Sequence, residues 1–339
     1  MISLRLSSMR LLWTTLVPVL VAGLAAAGNA QSAPLIAQEP RSVTMPFDWV
    51  DNRVVVEVTI QKSGPLHFIL DTGAVAAISE SAAKKLGIAP REMAEQAGVG
   101  ESRVQTGEVT LSSLRLGPVE LRDLQVEVIP MDDFRQVFGT KPVDGIIGLP
   151  IFEAMVVKHD FVHHVITFVA PPAFAYSGRG SVIRFERPSQ IPVIEADLDG
   201  VKGKFGVDMG ARSALLLYRP FTEKNRLQQK YGAHLEGVTG WGIGGPVRSL
   251  LARAQTLSFG DVVVTQPVIR LSTQKAGLTI SSSMAGLIGP DVLSQFDVTF
   301  DYSRHQIIFE KNENFGRRDS YDRAGVGWDR MATSSLPWT

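Results

Sequence analysis

Phe68-Ile69-Leu70-Asp71-Thr72-Gly73-Ala74 runs three apolar residues straight into an acid, a hydroxyl and a glycine. An apolar strand ending this way brings a carboxylate to the rim of a core, where burial and neighbouring groups tune its pKa. Gly73 permits a sharp turn and the close approach of a second backbone. The tripeptide alone is a weak signal, so its surroundings carry the reading. Upstream, residues 53–60 are rich in β-branched side chains, Ser63-Gly64-Pro65 supplies a turn, and Leu66 to Leu70 leads back to the acid, which makes a hairpin. Downstream, Ser79 is a fitting N-cap and Gly87 a fitting stop for a short helix. The β pattern, present from Val43, resumes at Gly98-Val99-Gly100 and passes through Leu114–Gly117 and Leu124–Val128. It then reaches Asp144-Gly145-Ile146-Ile147-Gly148 and a last hairpin from Val156 to Phe168.

Pro171-Pro172 and Ser177-Gly178-Arg179-Gly180 read as a linker, and beyond it the same order of parts starts again. Residues 192–198 form a strand, Asp199-Gly200 a tight turn, and Phe205-Gly206-Val207-Asp208-Met209-Gly210-Ala211 a second acid-bearing strand, with a helical stretch around Arg219 to Gln229. The spacing tests the repeat. Asp71 lies 137 residues before Asp208, Gly98 142 before Gly240, Gly117 143 before Gly260, and Gly148 141 before Gly289. Asp160 and Asp301, and Phe168 and Phe309, keep the spacing of 141 without a gap. Offsets this steady, with gaps confined to loops, indicate an internal duplication.

Two β-rich halves, each presenting one Asp at a strand-to-loop corner, can pack about a pseudo-twofold axis, which would bring Asp71 and Asp208 into one cleft. Two carboxylates sharing a site do not both ionise cheaply, so one keeps its proton. The ionised one then serves as general base on a water held between them, and the protonated one as general acid. They titrate as a coupled pair.

Taken together, the apolar-apolar-Asp-Thr-Gly-Ala stretch, the Gly-x-Gly segment and Asp144-Gly145-Ile146-Ile147-Gly148 followed by Phe152 resemble retropepsin-like aspartyl proteases of bacteria. Two such halves in one chain are similar to pepsin-type enzymes. The resemblance spans residues 43 to 311. It implies an all-β, bilobal acid-protease fold with halves at 43–176 and 181–312 and an aspartic endopeptidase activity on peptide or protein substrates. No cofactor and no metal are implied, and the chain is expected to be a monomer. Carried over residue by residue, the catalytic positions fall on Asp71 and Asp208, and their supporting loops on Thr72, Gly73, Met209 and Gly210. Gly148 and Gly289 fall where small residues pack beside those loops. The flap positions fall on Val99 and Gly100 in one half and on Trp241 and Gly242 in the other. Read from the residues alone, Trp241 between two glycines is equally an exposed loop aromatic or a core anchor.

The second loop departs from the family, which has Asp-Thr-Gly or Asp-Ser-Gly in both halves. In such enzymes the threonine hydroxyls bond across the pseudo-twofold, and a methionine thioether has no donor and is only a weak acceptor. Thr72 is therefore expected to lose a partner at a buried place, at a cost of about 1–3 kcal/mol unless another acceptor serves. The outcome is either a working but looser dyad or a non-catalytic peptide-binding relative that keeps only the shape.

Arg5 and Arg10 followed by the apolar residues 11–27 and Gly28-Asn29-Ala30 read as a secretory signal over residues 1–30. The rival is an uncleaved anchor, since a run of about 17 apolar residues is near the lower limit for spanning a bilayer. The expectation is an exported, periplasmic or secreted protein. The absence of cysteine removes disulfides, thiolate nucleophiles and Cys-ligated zinc. A net charge of zero argues against a nucleic-acid binder. His159, His163 and His164 fit no standard zinc spacing. Gly240-Trp241-Gly242-Ile243-Gly244-Gly245 lacks the βαβ setting of a dinucleotide loop. Residues 313–339 form a polar tail outside the duplication.

Overall fold

In the Arg53–Ile60 strand, Val54, Val56, Val58 and Ile60 point one way and are buried, and this period of two sets the face that the first half turns to its core. The computed structural model describes residues 35–36, 41–131, 138 and 142–317; the expected signal at 1–30 and the tail beyond 317 lie outside them. The fold is all-β, with a few short helices, in three sheets. One nine-stranded sheet belongs to the first half and another to the second. A six-stranded sheet joins the two, with Val156–Asp160 of the first half paired to Phe296–Asp301 of the second through Val157↔Phe300 and His159↔Val298. The main apolar core runs through both halves, from Phe68, Leu70 and Ile147 to Phe205, Val207 and Ile288.

The two Asp-bearing strands have the same surroundings. Leu66–Leu70 lies parallel to Gly145–Ile147, with Leu70 opposite Ile147, and Val201–Val207 lies parallel to Gly286–Ile288, with Val207 opposite Ile288. The glycine that ends each partner strand is required by contact. A Cβ on Gly148 would stand 2.0 Å from the Ala74 carbonyl oxygen, and one on Gly289 2.2 Å from that of Ser213.

Local signals mostly hold. Glu80–Lys85 is the expected helix, its N-cap Ser79 Oγ accepting from Ala82 N at 3.1 Å, and Gly87 follows with φ +68°. The helical stretch expected over 219–229 is instead two short helices, Arg219–Lys224 and Leu227–Tyr231, because Arg226 takes the left-handed conformation (φ 51°) between them. The three histidines of the Val156–Val169 hairpin have separate surroundings. His159 is wholly buried, His163 Nδ1 lies 2.8 Å from Asp160 Oδ2, and the His164 ring stacks on Phe47.

Candidate active site

Asp71 and Asp208 leave their strands in mirrored geometry. Asp71 N donates to Ile147 O at 3.0 Å, and Asp208 N donates to Ile288 O at 2.9 Å. Each carboxylate is then held by the glycine two residues on. Gly73 N donates to Asp71 Oδ1 at 2.6 Å, and Gly210 N to Asp208 Oδ1 at 2.8 Å, with Ala211 N a second donor to Asp208 Oδ1 at 3.1 Å. The two carboxyl groups are joined by a hydrogen bond. The loops are so close that a Cβ on Gly210 would lie 2.0 Å from Asp71 Oδ2, and one on Gly73 3.2 Å from Asp208 Oδ1.

Burial pushes the Asp71 carboxyl well above the usual carboxylate range, and the charge of Asp208 raises it further. Burial raises Asp208 as well, but the hydrogen bond from Asp71, the Gly210 and Ala211 N–H groups and the charge of Arg53 pull it back. Between its two macroscopic pKa values the pair therefore holds one proton and one negative charge. Both residues keep part of their surface open, so the pair is desolvated without being sealed.

Thr72 corrects the expectation drawn from Met209. Its Oγ1 donates to Val207 O at 2.7 Å and accepts from Met209 N at 2.9 Å, in a site with no solvent exposure. Both partners are backbone atoms of the second loop, so they persist whatever side chain residue 209 carries. Met209 itself is fully buried in the apolar core. Thr72→Val keeps the shape and leaves two buried backbone groups without their partner. The expected result is a loss of about 2 kcal/mol, read as a melting temperature lower by roughly 4 °C.

Sequence reasoning missed a buried charged cluster behind the dyad. Asp48–Val50 pairs with the start of Arg53–Ile60 through a two-residue turn whose Asp51 and Asn52 have φ of 49° and 57°. This turn docks on the second Asp loop. Arg53 Nε donates to Gly210 O at 2.8 Å, Asn52 Nδ2 donates to Arg212 O at 3.1 Å, and Asp51 is bonded to both Arg53 and Arg212. The Arg53 guanidinium also lies 5.4 Å from the centre of the Phe138 ring. Arg53 therefore links the first half to the second loop and places a fixed positive charge near both acids. An Arg leading an otherwise apolar strand, just after an Asp-Asn turn, was the available signal. Its charge lowers both carboxyls, so Arg53→Gln is expected to move the acid limb of the pH–rate profile upward. Arg53→Lys should hold that limb closer to its original position, and an unmoved limb in Arg53→Gln would refute the electrostatic role.

The hairpin tips of the two halves meet. One is carried by Arg91–Ala97 and Arg103–Leu116, the other by Leu235–Gly242 and Gly245–Arg253. Gly100 N donates to Ile243 O (2.9 Å), Ser102 N to Gly244 O (3.0 Å), and Leu278 N to Gly98 O (3.0 Å). Each tip sends an apolar side chain across. Val99 packs against a second-half cluster that includes Leu216 and Leu287, and Ile243 packs against a first-half cluster that includes Val55, Ile69 and Ile146. Val99, Gly100 and Gly242 thus fall at the junction. Trp241 stands one place short, half-buried and paired with Pro246 in its own hairpin. The crossing residue is Ile243, and its signal was the triplet Gly242-Ile243-Gly244, a nearer likeness of Gly98-Val99-Gly100 than Gly240-Trp241-Gly242.

Residues 56–151 match the family model described as Aspartyl protease, a stretch that includes Asp71, the first hairpin tip and Gly148. No curated protein matches the chain. The match supports a general aspartic-protease function, that is, a hydrolase of the protease class.

Proposed function

We propose that the protein is an aspartic endopeptidase that adds water to a peptide bond held in extended form between its two halves. The observation that carries the reading is the hydrogen-bonded pair Asp71–Asp208, one acid from each half, with each carboxylate steadied by the N–H two residues later. In the half-ionised pair, the charged carboxylate takes a proton from the attacking water and the protonated one gives its proton to the carbonyl oxygen. Carboxylates and backbone donors suffice for this step, with Arg53 favouring the ionised partner. The apolar clusters on which Val99 and Ile243 rest supply subsites for apolar side chains flanking the scissile bond. Both acids come from one chain, so a monomer carries a complete site. The basic, then apolar, then small-residue start of the sequence adds export to the proposal.

The rival reading is a non-catalytic peptide-binding protein. It draws its support from the Asp208-Met209-Gly210 loop and is weakened by the finding that Thr72 keeps both backbone partners. Incubation of the purified mature protein with an unfolded protein substrate at mildly acid pH separates the two. Cleavage abolished by a pepstatin-type inhibitor is expected. Peptide binding without any cleavage from pH 3 to 7 would establish the rival.

A further inference from the structure

In each half the residues opposite one another across the sheet form a row that starts on the Asp-bearing strand. In the first half Ile69 pairs with Ile146, Ile146 with Ala77, and Ala77 with Glu127. In the second half Gly206 pairs with Leu287, Leu287 with Leu216, and Leu216 with Arg270. Paired residues share a face of the sheet. That face is the one on which the opposite half's hairpin tip rests, because Ile69, Ile146 and Ala77 belong to the apolar cluster under Ile243, and Leu287 and Leu216 to the one under Val99. The two rows are related by the duplication, with spacings of 141 for Ile146 and Leu287, 139 for Ala77 and Leu216, and 143 for Glu127 and Arg270. The same place three strands out from the dyad strand thus holds an acid in one half and a guanidinium in the other.

Each charge is covered by its own hairpin-tip strand. Gln96 Nε2 donates to Glu127 Oε1 at 3.1 Å, and Arg270 Nη1 donates to the Thr239 carbonyl oxygen. Gln96 lies in Arg91–Ala97 and Thr239 in Leu235–Gly242, so both charges lie under the strands that carry the hairpin tips. Glu127 is half-buried, accepts from a neutral amide, and shares its ladder position with the like charge of Glu108; no cation lies against it among the described residues. Burial and Glu108 raise its pKa, a penalty that an arriving cation would relieve.

We propose that the cleft selects peptides carrying opposite charges on the two sides of the scissile bond, a Lys or Arg towards Glu127 and an Asp or Glu towards Arg270. Three strand spacings of about 4.8 Å correspond to roughly four residues of extended peptide, which sets the distance of each charge from the bond cut. This specificity rests on the endopeptidase reading for its catalytic consequence but not for binding. The wrong order of charges places like against like at both ends and is rejected by the same groups.

The test uses three peptides with one apolar centre: neutral ends, Lys then Glu at four residues on either side, and Glu then Lys. Cleavage by the wild type is read as kcat/KM, and affinity is read as Kd with the Asp71→Asn protein. One charged order should exceed the neutral peptide by about tenfold per matched charge and the other should fall below it. Glu127→Gln should remove the preference for the cationic end alone, and Arg270→Met the preference for the anionic end alone. Should Arg270→Met fail to fold, the Glu127→Gln arm decides. Equal values for both charged orders, or an order preference unchanged in Glu127→Gln, overturn the proposal while leaving the endopeptidase intact. An order preference in Kd without cleavage by the wild type would overturn the endopeptidase and keep the charge selection.

Discussion

Asp71→Asn is expected to lower kcat/KM by at least about a thousandfold while the fold persists. Asparagine is isosteric, and its Oδ1 still accepts from Gly73 N, so the loop keeps the contact that orients it. What disappears is the titratable proton, and with it the pairing of one acid with one base. Asp208→Asn should cost as much, and the double variant little more, because two groups that act as a unit give non-additive losses. The stability effect has the opposite sign. Asp71 has a raised pKa because burial and the Asp208 charge penalise its ionised form. Between its unfolded and folded pKa values the folded state holds a proton that the unfolded chain has released, so stability falls as pH rises through that window and the loss persists above it. Removing the ionisable group removes the penalty, so Asp71→Asn should melt no lower than the wild type at pH 7. Cleavage equal in wild type and variant would refute the mechanism. Lost cleavage with a collapsed melting temperature would assign Asp71 a structural role instead.

The dyad was legible in the sequence because its signals are local. Three apolar residues, an acid and a small turn residue recur at a nearly constant spacing, and the strand pairings on either side then follow from hydrophobic pattern. Groups that act across the two halves were not legible. Thr72 keeps its partners because they are backbone atoms, Val207 O and Met209 N, and the identity of side chain 209 says nothing about them. Arg53 reaches Gly210 O only because Asp51 and Asn52 form a left-handed turn that aims the hairpin at the other half. Glu127 and Arg270 become equivalent only once register is known, since slipping either strand by one residue would turn the side chain to the core face. Ile243 was hidden by a one-place choice between two overlapping glycine triplets. In each case the missing information was the relative placement of distant strands, which composition and periodicity do not encode.

The sheet that joins the halves should make the protein's acid stability depend on one histidine. His159 has no exposed surface, neither ring nitrogen meets a side-chain partner, and Phe152, Phe161 and Phe300 surround it at ring separations of 6.3, 5.7 and 5.7 Å. Burial pushes its pKa down to about 3, opposed only by the backbone of Val298, its partner in the inter-half ladder. The ring is therefore neutral in the folded protein wherever the unfolded chain, with an ordinary value near 6.5, is already protonated. Below pH 6.5 the unfolded state binds the extra proton, so stability falls as pH falls, by about 1.4 kcal/mol per unit and about 4 kcal/mol in all by pH 3. The dyad acids, with raised pKa values, act in the opposite direction over part of this range, so the comparison must be made against a variant lacking only the histidine. His159→Phe keeps an aromatic ring in the cage and cannot take up a proton. Its stability relative to wild type, measured by urea unfolding at pH 7, 5 and 4, should increase steadily with acidity. Parallel curves at the three pH values would mean that the ring finds solvent or a partner on protonation. If the curves diverge, the acid limit of this protein is set by the strand pair that holds its halves together, separately from the titration of the Asp71–Asp208 pair.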